Sequence, residues 1–261
     1  MSVSSHLSNT ASKLIITDYE RTVIDGHIES LGKKIDNYFL SSAINEHFAF
    51  GSYTRKTLMP RKADNDSDVD YMVVFSNSSY TPSTYLGWLK DFAKAKYSTS
   101  EIYQSHPTVV LELSRIKIEI VPAIKSAYDD YQIPAPSSTY TTWLTTHPNS
   151  FNTKVVNKNT SEKSQIRPLI RLMKYWNAKS GYVYSSYELE NLIVNHFFYS
   201  CQNLWDYVYS FVGGLSSYNS VAWKADKIKK LKDSCTSARN SDNQGYPATA
   251  EAEIKKVFPE Y

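Results

Sequence analysis

Two aspartates one residue apart are the first residues whose spacing could do chemistry. Asp68 and Asp70 stand in the run Ser67-Asp68-Val69-Asp70-Tyr71-Met72-Val73-Val74-Phe75. Val69 to Phe75 is β-branched and aromatic, which predicts a strand. Side chains alternate faces along a strand, so the two carboxylates share one face, roughly 7 Å apart along the backbone. Carboxylates that close repel each other, and a hard cation such as Mg²⁺ is the usual remedy. Upstream lies Phe50-Gly51-Ser52-Tyr53. Gly51 lets the backbone come close to a ligand, and the following N–H groups and the Ser52 hydroxyl can hold phosphate oxygens. A third acid is expected on a neighbouring strand. The run Ile116 to Pro122 alternates, with Lys117 and Glu119 on one face and Ile116, Ile118 and Ile120 on the other. A phosphate grip beside metal-binding carboxylates is the equipment of nucleotidyl transfer. Alone, an Asp-x-Asp is most often a solvated strand end, and a Gly-Ser is weaker still. The combination carries the argument.

The elements that must position these residues can be read around them. Met1 to Ile16 is polar and Ser-rich, then briefly apolar, and is either a short helix or a loose arm. Ile24, Ile28, Leu31, Ile35 and Phe39 follow helical spacing from Asp18 onward, with Thr17 or Asp18 as the cap. Residues 46–50 form a strand that ends at Gly51. Arg55, Lys56, Arg61 and Lys62 then lie between the phosphate grip and the aspartates, facing either a triphosphate or solvent. Thr81 to Tyr97 is a helix with Leu86, Leu89, Phe92 and Ala93 inward. Thr108–Leu113 and Arg115–Val121 are expected as antiparallel strands that bring Glu119 beside the aspartates, with Pro122 ending the second. Pro134-Ala135-Pro136-Ser137-Ser138 is loop-like and marks the expected division, into residues 1–135 and 136–261. Trp143 reads as structural and His147 as a surface residue.

The second half reads as helical. Ser164 to Asn177 places Ile166, Leu169, Ile170, Met173 and Trp176 on one side, and Arg171 and Lys174 three residues apart on a basic face. From composition alone that face is as well explained by solvent as by a ligand. Ser185-Ser186-Tyr187-Glu188 opens the next helix, where Ser186 would be the cap and Tyr187 a half-buried aromatic. Helices are expected over 191–198, 204–212, 221–231 and 248–257, with a polar loop over 240–247.

Taken in order, these motifs resemble the nucleotidyltransferase superfamily typified by DNA polymerase beta. Within it they are closer to cyclic GMP–AMP synthase, the oligoadenylate synthases and the bacterial cyclic-oligonucleotide synthases of anti-phage defence. The matches are Phe50-Gly51-Ser52, Ser67-Asp68-Val69-Asp70, Ile118-Glu119-Ile120-Val121-Pro122-Ala123, Arg171-Leu172-Met173-Lys174-Tyr175-Trp176 and Ser185-Ser186-Tyr187-Glu188-Leu189-Glu190. The resemblance runs from about Asp18 to the C-terminus, and Phe258-Pro259 is similar to the family's usual ending, which reads as a complete chain. It implies a two-lobed α/β (α+β) fold, with a mixed-sheet N-terminal lobe, a helical C-terminal lobe and a long N-terminal spine helix spanning both. The nucleotide is expected in the cleft between the lobes. It implies catalysis by Asp68, Asp70 and Glu119 holding two Mg²⁺ ions, with Mn²⁺ as substitute. It implies nucleotide binding by Gly51, Ser52, Arg171, Lys174, Ser186 and Tyr187, with Lys174 and Ser186 on the triphosphate and Tyr187 on a base. The substrates implied are ATP and other NTPs, joined into a cyclic di- or trinucleotide. A template-independent RNA or tRNA nucleotidyltransferase shares the same acids, and a catalytically silent nucleotide or RNA sensor is the non-enzyme alternative. Two departures stand out. The third acid is Glu119 where many relatives have Asp, and Arg55-Lys56-Thr57 follows where many place Gly-Thr.

Composition bounds the rest. The chain has 261 residues, 41% hydrophobic, which is enough for a folded core. Lys and Arg number 29 against 26 Asp and Glu, a net +3 that announces no dedicated nucleic-acid binder. Cys201 and Cys235 form no Cys/His metal pattern. No apolar run approaches the ~20 residues of a membrane span. The expectation is a cytoplasmic monomer with no membrane partner.

Overall fold

The strand at Asp68–Phe75 (β2) forms because its apolar run is covered. Asp68 and Asp70 are half-exposed, whereas Val69 and every residue from Tyr71 to Phe75 are buried. The computed structural model describes residues 2–105, 107–128, 130–135, 142–216, 218 and 221–261. β2 lies inside a mixed sheet of the order β1-β2-β5-β4-β3. The other strands are β1 (Ile44–Phe50), β3 (Glu101–Ser105), β4 (Thr108–Glu112) and β5 (Lys117–Lys125). β6 (Tyr131–Pro134) pairs with the far end of β5, and β7 (Trp143–Thr146) pairs with β6.

All these pairings are antiparallel except one. β4 and β5 are antiparallel as expected, but β5 meets β2 in parallel. The expected mixed sheet is thus present, and it is the parallel β2–β5 pairing, not the antiparallel β4–β5 pair, that sets Glu119 beside the aspartates. The reason is the connection. From β2 the chain passes through α4 (Pro82–Lys96) and the β3–β4 hairpin before returning, which gives β5 the same direction as β2. β5 also runs on through Pro122, where the sequence suggested an end. Pro122 falls between the end of the β4 register at Ile120 and the start of the β6 register at Ile124, so no ladder donor is needed on that edge.

Two helices fix this sheet. α4 packs on β3 to β6, with Leu86, Leu89, Phe92 and Ala93 buried as expected. Each such Leu or Phe contributes roughly 1.5–3 kcal/mol of burial. α2 (Asp18–Asp36) is capped by Thr17, whose hydroxyl and Glu20 form a capping box. Ile24, Leu31 and Ile35 are buried, while Phe39 lies past the helix end. Gly32 lets α2 close on the sheet, since a β-carbon there would sit 3.0 Å from His47 Cε1 and 3.1 Å from Tyr71 Oη. His47 ties the three elements together, with Nδ1 2.6 Å from Tyr71 Oη and Nε2 2.9 Å from Asp36 Oδ1.

The chain divides into two compact units. The sheet-bearing unit is Thr17–Leu58 with Ser67–Thr153, and the helical unit is Met1–Ile16, Met59–Asp66 and Lys154–Tyr261. This division is discontinuous, unlike the expected cut after residue 135. β7 carries the sheet to Thr146, and α1 (Val3–Lys13) packs on helices from the far end of the chain. Residues 136–138 of the expected boundary lie outside the described residues. α2 belongs to the sheet-bearing unit.

In the helical unit α1 contacts α6 (Ile166–Lys179), α8 (Leu204–Gly214) and α10 (Pro247–Lys255). The His6 ring lies 2.8 Å from the Phe258 carbonyl oxygen. α5 (Pro148–Ser161), unread in the sequence, contains the dividing point. α7 is Ser186–Asn195, shorter than expected. α9 (Ala222–Asn243) runs into the stretch read as a polar loop, because Leu231, Cys235 and Ala238 continue its buried stripe. Among the described residues no helix is long and apolar enough to cross a membrane.

Candidate active site

Strand register assembles the acids. In the parallel β2–β5 pair, Asp70 lies opposite Glu119 and Asp68 opposite Lys117. The three carboxylates expected to work together are thus brought to one end of two neighbouring strands. Lys117 stands among them. Its Nζ is 3.2 Å from Asp68 Oδ2 and 3.2 Å from Glu119 Oε1. Thr108, at the start of β4, places Oγ1 3.1 Å from Glu119 Oε2 and holds that side chain from the other strand.

Gly51 is required where it stands. It opens the short helix α3 (Gly51–Thr54) with φ +74°, a left-handed conformation that favours glycine. Phe50 pairs with Asp70 across the sheet, so the Asp70 side chain packs directly on Gly51. A β-carbon on Gly51 would lie 1.8 Å from Asp70 Oδ2. The glycine of the expected phosphate grip therefore also makes room for the Asp70 carboxylate. Ser52 is buried, and its carbonyl accepts from the N–H groups of Thr57 and Leu58 at 2.9 and 3.1 Å, which closes the turn after α3. Arg55 is not a solvated loop residue. It is buried, with its guanidinium 5.1 Å from the Phe151 ring centroid and Nη1 3.5 Å from Asn152 Oδ1.

The electrostatics follow from this crowding. Burial first, then the charges of Asp70 and Glu119, push the Asp68 carboxyl up to about 8, while Lys117 pulls the other way. Burial alone would lower the Lys117 ammonium, but Asp68 and Glu119 together outweigh it and raise it. Among the described residues, no three His, Cys, Asp or Glu side chains are already gathered as a metal cage. At Asp68 and Glu119 an ammonium stands between the carboxylates instead. The donor set nonetheless fits a hard divalent cation: clustered carboxylate oxygens at one sheet end, with a positive group already attracted to them.

The helical unit holds the remaining candidates. Lys174 and Arg171 are both buried, so α6 does not present them as a solvated basic face. Lys174 Nζ lies 3.7 Å from Oε1 of Glu190, a fully buried acid on α7. Arg171 is turned to α1, with Nε 3.4 Å from the Ala11 carbonyl oxygen. Burial and the neighbouring Arg167 lower it to about 10. Ser185, not Ser186, caps α7, in a capping box with Glu188. That leaves Ser186 in the first turn and Tyr187 60% exposed rather than half-buried. Asn177 fixes the approach to this turn, since its side chain makes 2.8 and 3.0 Å hydrogen bonds with the backbone of Tyr184. Tyr182 Oη donates to buried Asp64 at 2.7 Å, which ties the 59–66 segment to the same loop. Sequence reading missed Thr108, Asn177 and the pairing role of Glu190. Only Lys117, on the same strand face as Glu119, carried a visible signal.

Residues 1–159 match the family of the Second Messenger Oligonucleotide or Dinucleotide Synthetase domain. The chain belongs to this family. The matched span contains Gly51, Ser52, Asp68, Asp70 and Glu119. A probable cyclic nucleotide synthase of Bacillus cereus (strain VD146) is 27% identical over 211 residues, covering 66% of this chain. The chain spans 62% of that relative's length. Escherichia coli MS115-1 CdnC, solved with ATP, has a TM-score of 0.70 at 16% identity, covering 98% of this chain and 97% of that one. The Bradyrhizobium diazoefficiens CD-NTase CdnG, in complex with GTP, has a TM-score of 0.71 at 10% identity, covering 97% of each chain. At these identities the two structures establish the fold, which is the polymerase-beta-like one expected for a synthetase domain of this family.

Two outcomes are expected of the site in the metal-free protein. Gly51→Ala should lower stability by roughly 1–3 kcal/mol through strain and the clash with Asp70. In a double-mutant cycle, Asp70→Ala should recover part of that loss, and strictly additive effects would contradict the packing described. The Asp68 carboxyl is raised in the folded state, so folding takes up a proton between the ordinary carboxylate range and about 8. Its contribution to stability is therefore present at low pH and lost as pH rises through that window. Melting temperatures in EDTA should fall across the window, and Asp68→Asn should flatten the fall. An unchanged slope in the variant would refute the assignment.

Proposed function

We propose that this chain is a metal-dependent nucleotidyltransferase that joins NTPs into a cyclic di- or trinucleotide second messenger. The observation that carries the reading is the β2–β5 register, which sets Asp70 opposite Glu119 with Asp68 one step away and Gly51 against Asp70. Family membership supports the same class, as do the names of its relatives. The resemblance further implies a role in anti-phage signalling, and the composition reading places it in the cytoplasm as a monomer.

Asp68, Asp70 and Glu119 would hold two divalent cations, Mg²⁺ or Mn²⁺. Those cations supply neutralisation of triphosphate charge and a lowered pKa for an attacking hydroxyl. The protein's own residues do the positioning. The N–H groups after Gly51 and the Ser52 hydroxyl receive phosphate oxygens, and Thr108 fixes the Glu119 carboxylate. Lys174 and Ser186 are assigned to the triphosphate and Tyr187 to a base, by their match to the family motifs. Exposure of Tyr187 and its place in a capped first turn suit stacking. Arg171 acts on the helix that carries Lys174, through its hold on α1. In the reaction a ribose hydroxyl oxygen attacks the α-phosphorus, and the new O–P bond forms as the bond to pyrophosphate breaks. The hydroxyl proton leaves to solvent. Positioning and charge neutralisation supply most of the rate.

A template-independent RNA-tailing activity is the second reading. It draws on Lys227 and Lys230, exposed along α9 with half-buried Lys224 a turn before them, which suit a phosphate backbone. One assay separates the two. Purified protein is incubated with Mg²⁺ or Mn²⁺ and α-labelled NTPs, singly and in pairs, and phosphatase-resistant products are weighed by mass spectrometry. A small cyclic product is expected, reduced roughly 100-fold or more in Asp68→Asn and Asp70→Asn. Extension of an added RNA primer, with no cyclic product, would transfer the assignment to tailing.

A further inference from the structure

Lys117 has no task in the reaction above, yet it occupies the centre of the acidic cluster. Its side chain is 12% exposed, less than the 27% of Asp68 and the 19% of Glu119 that it bridges. Its Cα is paired with Asp68 across the strands, and it precedes Glu119 by two residues on the same face. Both distances are 3.2 Å, so the ammonium is shared evenly. A surface lysine would be screened by salt, whereas one enclosed like this is screened far less. The Lys117 ammonium offsets part of the negative charge that the cluster would otherwise present. A divalent cation approaching Asp68 and Glu119 therefore meets oxygens that already face a positive group.

We propose that Lys117 is an internal cation of this cluster. It holds Asp68 and Glu119 together in the metal-free protein and must swing from between them before a divalent cation can bind both. Its flexible four-carbon stem allows that swing, as a rigid guanidinium fork would not. The lysine thereby raises the metal concentration the site requires and makes metal binding depend on the nucleotide that arrives with it. This inference rests on the metal-dependent reading given above.

The test is a Mn²⁺ titration without nucleotide, followed by loss of the free-ion electron paramagnetic resonance signal. It uses the full chain as wild type, Lys117→Met and Lys117→Gln, with Asp68→Asn to show that binding belongs to the cluster. Lys117→Gln keeps hydrogen bonding to both carboxylates and serves if the Met variant does not fold. Both variants should bind Mn²⁺ about tenfold or more tightly than wild type, since a unit charge adjacent to the ion has been removed. In EDTA they should melt below wild type, because the carboxylates then repel unopposed, and Mn²⁺ should raise their melting temperature by more than it raises that of wild type. Equal or weaker Mn²⁺ affinity in the variants overturns the role of Lys117 alone. Absence of binding in every protein, even with a non-hydrolysable NTP analogue added, overturns the metal-dependent reading itself.

Discussion

The structure depends on how the charge of three crowded carboxylates is met. Two strands in parallel register bring Asp68, Asp70 and Glu119 to one sheet end, and β2 beyond Asp70 is wholly buried. Water cannot fully solvate carboxylates placed there, so their charge falls to neighbours. Lys117 faces two of them, Thr108 steadies one, and Asp70 lies against a glycine that has no side chain to displace it. Each of these contacts is explained by the acids, and none would be needed by an ordinary sheet.

The helical unit solves a similar problem by different means. Lys174 and Glu190 are both buried, and an enclosed ion pair contributes little net stability because both groups lose their hydration. Removing one partner of such a pair is strongly destabilising, which ties the two helices that carry them. Arg171 pins α1 to α6, and Asn177 clamps the loop that leads into α7. The first turn of α7 is thus held from several sides, while Tyr187 stays exposed within it.

Much of this was legible in the sequence, for identifiable reasons. β-branched runs announced β2 and β5, and the three-and-four spacing announced α2, α4 and α6. The alternation around Glu119 gave its face and that of Lys117 correctly. What was not legible depended on the third dimension. The direction of β5 relative to β2 follows from the crossover through α4, which no local pattern encodes. For α1 a short helix and a loose arm both stayed open, because its buried face is covered by helices from the other end of the chain. β6, β7 and α5 carry weak periodicity and gain their form from neighbours. For Arg171 and Lys174 composition left a solvated face and a ligand-facing one equally open, and only packing reveals that both are buried. Gly51 was read as a ligand-facing glycine, and its second duty toward Asp70 depends on strand pairing.

The most direct test of the central claim is a crystal structure of the full chain soaked with Mn²⁺ and a non-hydrolysable ATP analogue, with anomalous scattering used to place the metal. The account predicts Mn²⁺ peaks bonded to Asp68, Asp70 and Glu119, the triphosphate beside Gly51 and Ser52, and Lys117 moved away from the two carboxylates. Mn²⁺ bound elsewhere, or a nucleotide seated away from these acids, would contradict it.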